Sequence, residues 1–177
     1  MERLGTVTLL GERLILRRVK ECDAESIYSG FVNQDEFLYY AFKNKVTLEE
    51  QIEKTKKMVS LYSDNDYYNW AIVTKQDEFL GMVNLKVNDK NDSVEFSYAI
   101  DNRHTGKGYM TEALKLVLDF ALNKMKVARI QGACVTENIA SKKVMEKCGM
   151  ENEGVLKNYI KLSDGSHDAY MFSCVNK

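Results

Sequence analysis

The chain has no proline, and its four cysteines form no C-x-x-C pair. Low-complexity segments and internal repeats are missing as well, so nothing marks a linker between domains. Cys22, Cys134, Cys148 and Cys174 lie far apart, which excludes a zinc-ribbon site and a disulfide framework and reads as buried free thiols. Charge of one sign is also lacking. The 25 basic and 26 acidic side chains are mixed along the sequence, so no basic stripe addresses nucleic acid or an anionic membrane. No segment approaches the ~18 consecutive apolar residues of a membrane span, and Met1 to Leu10 lacks the basic-then-apolar order of a signal peptide. A cytoplasmic location is the expectation. What is present is enough for one ordinary core: 177 residues with 45% apolar content read as a single domain over 11–175, after a short N-terminal extension over 1–10.

Periodicity predicts a mixed α/β order. Arg13 to Val19 alternates apolar and polar residues as a strand does, and Asp23 sits where an N-cap would stand ahead of a helix over Ala24 to Val32. Thr47 with Glu50 satisfies the capping-box pattern for a second helix, whose Leu48, Ile52, Val59 and Tyr62 recur at helical spacing. Tyr67 to Thr74, Phe79 to Val87 and Val94 to Ile100 read as three consecutive antiparallel strands. A helix from about Met110 to Met125, a strand over Ala128 to Cys134 and a helix over Asn138 to Lys147 follow. Two closing strands, Gly154 to Lys161 and Ala169 to Val175, complete the chain.

Between the third of the antiparallel strands and the long helix stands Arg103-His104-Thr105-Gly106-Lys107-Gly108-Tyr109. Two glycines entering a helix leave backbone N–H groups open to an anion, and the helix dipole favours negative charge there. A simple glycine-closed turn explains the same residues. A dinucleotide-binding loop of the Rossmann kind would need a third glycine where Thr111 stands, and a P-loop would need Ser or Thr where Gly108 follows Lys107. About thirty residues later, Asn138-Ile139-Ala140-Ser141 opens a short helix that ends in Glu146-Lys147-Cys148-Gly149-Met150, followed by Glu153-Gly154.

Taken with Gly108-Tyr109-Met110-Thr111-Glu112-Ala113, these segments resemble the GNAT superfamily of acetyl-coenzyme A-dependent N-acetyltransferases, in particular its ribosomal-protein-alanine branch. The resemblance implies a GNAT fold: a twisted, mostly antiparallel sheet of about seven strands with a splayed central pair, flanked by about four helices. It implies acetyl-coenzyme A as cosubstrate and no metal, with the pyrophosphate on the backbone amides of Arg103, His104, Thr105, Gly106, Lys107, Gly108 and Tyr109. The strand at Tyr98, Ala99 and Ile100 would run beside the pantetheine arm, and Asn138 and Ser141 would reach that arm from the other side. His104 and Lys107 are expected at the phosphate end rather than at the thioester, and His167 is given no catalytic role. The partner is an amine acceptor, from a protein N-terminus or a small molecule, with a homodimer left open.

Acetyl transfer needs a neutral amine, a donor for the developing oxyanion and a proton for the departing thiolate. From the resemblance, a backbone N–H around Tyr98 to Ile100 is the oxyanion donor. The tyrosine that many relatives carry four residues before the closing glycine is Met145 here, so Ser141 is the substitute acid; a serine bonding its own helix backbone is the competing reading. The position of the glutamate base of some relatives is Ala133, leaving Glu95, which equally fits an outward strand residue, to relay a proton through water. A site without a strong base suits an α-amine. With a pKa of about 7.7 to 8.0 that amine is roughly 10 to 15% neutral at pH 7, against about 0.04% for a lysine near 10.4, a difference of ~3.5 kcal/mol. Phe37, Tyr39, Tyr40, Phe42 and Tyr159 are the candidate walls of the acceptor pocket.

Overall fold

The structure, a computed structural model, describes residues 1–32 and 46–176. Eight strands form one sheet in the order β1-β2-β3-β4-β5-β6-β8-β7, with β1 Leu9–Leu10, β2 Leu14–Arg18, β3 Tyr68–Thr74, β4 Phe79–Asn88, β5 Ser93–Ile100, β6 Arg129–Val135, β7 Glu151–Leu162 and β8 Gly165–Val175. The strand beyond the expected seven is β1, which pairs Leu9 with Leu16 and Leu10 with Ile15. Every neighbouring pair is antiparallel except β5 and β6. Two parallel neighbours cannot be joined by a hairpin, and the crossover between them is the long helix α3, Tyr109–Asp119.

Each face of the sheet carries its own core. Leu14, Trp70, Ile72, Leu80, Val83, Val94 and Phe96 meet Met110, Ala113, Leu114 and Val117 of α3 on one face. On the other, Ala71, Val73 and Ala99 meet Val19, Ile27, Phe31 and Tyr62. β3 is therefore buried on both sides for six of its seven residues, which accounts for its nearly unbroken apolar sequence. The buried residues of α3 recur three and four apart, as one helical face requires.

Helix pitch departs from expectation in two places. Past Asp119 the long helix widens into a π turn, Phe120–Lys124, closed by the Met125 amide on the Phe120 carbonyl at 2.9 Å. The wider turn keeps Phe120, Ala121 and Met125 all in the core. The expected helix over Ala24 to Val32 is α-helical only at α1, Ala24–Ile27, with a 3-10 turn before it and a π turn, Tyr28–Val32, after it. Asp23 does not cap α1 with its side chain. Its carboxylate accepts instead from the Arg17 guanidinium at 2.8 and 2.9 Å and from the Lys20 amide at 2.7 Å. A carboxylate this buried is held better by a bidentate cation than by a helix end.

The helix α2, Leu48–Ser60, has its expected capping box: the Glu50 amide donates to Thr47 Oγ1 at 3.2 Å and the Thr47 amide to Glu50 Oε2 at 2.9 Å. Its buried positions are Gln51 and Thr55, while Leu48, Ile52 and Val59 are half-buried. The polar pair is accommodated because Thr55 Oγ1 donates to the Gln51 carbonyl and accepts from Gln51 Nε2. Of the cysteines, Cys134 is buried and Cys148 and Cys174 partly so, but Cys22 is exposed, contrary to the expectation of four buried thiols. Phe37, Tyr39, Tyr40 and Phe42 lie outside the described residues; Tyr159 is exposed on β7. The first ten residues lie against the domain: Trp70 Nε1 donates to the Val7 carbonyl at 2.7 Å and Thr6 Oγ1 to the Tyr67 carbonyl at 2.8 Å. Among the described residues no helix is long and apolar enough to cross a membrane.

Candidate functional site

The site begins where the sheet opens. β5 and β6 pair only at Ser93 with Arg129, Val94 with Ile130 and Glu95 with Gln131. At the next step a Cβ on Gly132 would lie 2.3 Å from the Phe96 ring, so the ring occupies the space that a side chain on β6 would take. Phe96 is a wedge at the vertex of the splay, and only glycine opposite it leaves room. The Tyr98 ring stacks on it, with centroids 5.9 Å apart and planes 6° from parallel.

Opening the pair exposes backbone groups. The Asp101 amide donates to the Leu80 carbonyl on β4, and β4 and β5 stay in uninterrupted register from Gly81 with Ile100 to Asn88 with Ser93. Strand alternation then turns the amides of Tyr98 and Ile100 away from β4, toward the gap where β6 has departed. Ala99 is turned the other way, its side chain buried in the opposite core.

One end of the gap is closed by the glycine loop. Asp101 is almost fully buried and caps the short turn Asn102–His104, its Oδ1 accepting from the Arg103 amide at 2.9 Å. The Arg103 guanidinium folds back onto the same carboxylate, at 3.0 Å from Nε to each oxygen, and holds it below the usual carboxylate range despite its burial. Gly106 and Gly108 then take left-handed φ values of 75° and 79°, and Gly108 is the N-cap of α3 without a side-chain cap. Among the described residues no acceptor is paired with the amides of Gly106 through Thr111, and the first turn of a helix has no partners of its own to offer them. A Cβ at Gly106 would meet nothing within 4 Å, so the loop's concave side is open.

The loop is gripped from behind by Arg13, just ahead of β2. Its Nη1 donates to the Lys107 carbonyl at 3.0 Å, its Nε to Glu112 Oε2 at 2.8 Å and its backbone amide to Glu112 Oε1 at 2.8 Å, while its Cζ stands 4.8 Å from the Tyr109 ring centre. Burial pushes the Glu112 carboxyl up, but these bonds outweigh it and leave the group below its ordinary value.

The other side of the gap is α4, Ile139–Lys147. Asn138 caps it, Oδ1 accepting from the Ser141 amide at 3.0 Å. Because the asparagine meets the backbone's need, the Ser141 hydroxyl makes no bond to its own helix among the described residues. The Tyr98 hydroxyl donates to the Ser141 carbonyl at 3.3 Å and ties α4 to β5 across the gap. Met145, where many relatives place a tyrosine, is buried in the core.

Together these elements enclose a cleft of about 670 Å³, within the range of cofactor and ligand pockets. Of the residues expected there, Tyr98, Ile100, His104, Thr105, Gly106, Gly108, Tyr109, Asn138 and Ser141 line it. Ala99, Arg103 and Lys107 do not: Arg103 is spent on Asp101, and the Lys107 carbonyl is taken by Arg13 behind the loop. His104 Nε2 lies 3.8 Å from Glu78. His167 bonds Asp164 through Nε2 at 2.8 Å, which raises its pKa. Glu95 lies on the opposite face from Tyr98 and lines a separate hollow of about 390 Å³ with Lys86, Lys90 and Gln131. Burial first and the Glu95 charge second raise the Tyr159 phenol above its ordinary value.

Sequence reasoning missed Lys143 and Lys147, which line the cleft from α4. Their i, i+4 spacing after Asn138 was the available signal. It also missed Arg13, whose partners are 94 and 99 residues away and which no local pattern marks.

Comparison with known proteins agrees with this geometry. A family model described as an acetyltransferase (GNAT) domain matches residues 13–151. The uncharacterized N-acetyltransferase YoaA of Bacillus subtilis is 28% identical over 93% of the chain and 94% of its own length. The ribosomal-protein-serine acetyltransferase of Escherichia coli is 23% identical over 93% of each. The spermidine N(1)-acetyltransferase of Vibrio cholerae is 25% identical over 83% of the chain and 84% of its own. Among solved structures, a GNAT-family acetyltransferase from Bacillus anthracis superposes with a TM-score of 0.83 at 24% identity, covering 96% of this chain and 98% of that one. RimL, a ribosomal alpha-N-protein acetyltransferase in complex with coenzyme A, gives 0.85 at 18% identity over the same shares.

Proposed function

The chain belongs to the GNAT acetyltransferase family and is an N-acetyltransferase, and from that premise we propose that acetyl-coenzyme A is its donor and a protein N-terminal α-amine, such as that of a ribosomal protein, its acceptor. Transfer is direct, within a ternary complex. The observation that carries the donor assignment is the open gap between β5 and β6, with unpaired amides lining one end of it and the free Ser141 hydroxyl facing it. The residues suit the donor: a diphosphate matches the amides of Gly106 to Thr111 at a helix N-terminus, and an amide-bearing arm matches the exposed edge of β5. RimL, whose fold this chain shares, was solved with coenzyme A.

Coenzyme A supplies the acetyl group as a thioester, a form open to attack by an amine. The Tyr98 or Ile100 amide, fixed by the sheet, stabilises the oxyanion that develops on the acetyl carbonyl. Ser141 Oγ passes a proton to the departing sulfur as it regains one from solvent water, and Asn138 leaves that hydroxyl available by capping the helix itself. The neutral amine arrives from the opposite face, where Glu95 takes up through water the proton released and returns it to solvent.

The acceptor assignment rests on the lack of any carboxylate among the described residues that line the cleft, which favours an amine already partly neutral near pH 7, and on the relation to the ribosomal-protein-serine acetyltransferase. The relation to the spermidine enzyme supports a small polyamine as the second reading. Initial rates of coenzyme A release with four acceptors separate them: a peptide with a free N-terminus and no lysine, its Nα-acetylated lysine-containing counterpart, spermidine, and a simple amino-acid amide. Turnover with the free N-terminus at least tenfold above the blocked peptide and spermidine is the expected result. Turnover of spermidine with both peptides inert overturns the protein acceptor and leaves the donor intact.

A further inference from the structure

We propose that Arg13 is a positioning residue for the diphosphate of the acyl donor, acting through the glycine loop rather than by touching the ligand. The inference rests on the donor assignment above. Gly108 enters α3 in a left-handed conformation with no side-chain cap, and a loop of that kind has nothing in its own sequence to hold it. Arg13 supplies the hold from a distant segment. Its planar fork bridges the Lys107 carbonyl and the Glu112 carboxylate, one on each side of the Gly108 turn, and its face covers the Tyr109 ring. Its Nη2 stands 3.4 Å from the position a Gly108 Cβ would take, so the guanidinium also fills the back of the turn. Arg13 does not line the cleft, and two of its N–H groups are already committed to the loop. Its effect is to hold the amides of the loop on the concave side in one arrangement, which a flexible loop would have to find at each binding event. A lysine cannot substitute, because a single ammonium does not span two acceptors in a fixed plane.

The test uses two acyl donors, acetyl-coenzyme A and acetyl-pantetheine, which has the same thioester arm and no diphosphate. Arg13→Met, which keeps the apolar stem, should raise the KM for acetyl-coenzyme A by about tenfold while the KM for acetyl-pantetheine stays within about twofold. Arg13→Lys should stay closer to Arg13→Met than to the native chain. Equal losses with both donors would mean a general disturbance of the fold and overturn the proposal, as would an unchanged KM for acetyl-coenzyme A. Full recovery with lysine would also overturn it, since charge and not the fork would then suffice. Failure of the donor assignment looks different: the native chain would then turn over neither donor.

Discussion

Gly106→Val is expected to weaken coenzyme A binding by about a hundredfold and to shift the melting temperature by no more than a few degrees. A β-branched residue at the φ of 75° recorded there costs about 1 to 3 kcal/mol. A Cβ there would meet nothing within 4 Å, so the strain comes from the backbone and not from a collision at that atom. The exposed loop relieves it by leaving the left-handed conformation, at little cost to the folded state. That relief turns the amides of residues 106 to 108 off their common direction. Losing two hydrogen bonds to a charged phosphate, at about 1.5 to 3 kcal/mol each, is worth a factor of a hundred or more. Calorimetric titration with coenzyme A, paired with thermal unfolding, checks both halves. Undiminished affinity would remove the loop from the donor site.

Ser141→Ala should lower kcat by about a hundredfold, the low end of what a positioned general acid contributes. The low end is apt because a thiol with a pKa of about 8.5 is already a fair leaving group. The KM for acetyl-coenzyme A should stay within about twofold. The substitution leaves α4 intact, because Asn138 and Tyr98 both bond the Ser141 backbone and not its hydroxyl. Steady-state kinetics with the best acceptor is the measurement, and an unchanged kcat would strip Ser141 of its role.

The parts of this site that were legible in the sequence are those carried by the backbone conformation of short segments. Glycines at 106 and 108 announce left-handed turns, and Asn138 announces a cap, because each residue type answers a local geometric need. The capping box of Thr47 and Glu50 was legible for the same reason. Asp23 followed the same rule and misled, since its buried carboxylate found Arg17 across a turn, a partner that no helix-capping rule anticipates. The widened turn after Asp119 was not legible, because Ala121 and Met125 stand four apart, a spacing that an unbroken α-helix gives as well. The wedge of Phe96 against Gly132 was invisible for a different reason. Gly132 reads as a weak spot in a strand until the strand facing it is known. Arg13 is the extreme case: the residue that holds the loop lies 94 residues before Lys107 and enters only once the sheet has folded.

The central claim is that backbone amides of the glycine loop and of β5 seat the donor in the gap beside β6. Amide-resolved hydrogen exchange with and without coenzyme A tests it most directly. Exchange should slow on binding at Gly106 through Met110 and at Tyr98 and Ile100, while the edge strand β7, exposed over Glu151 to Tyr159, exchanges as before. Saturation with coenzyme A that leaves those amides unprotected and slows others elsewhere in the chain would contradict the account.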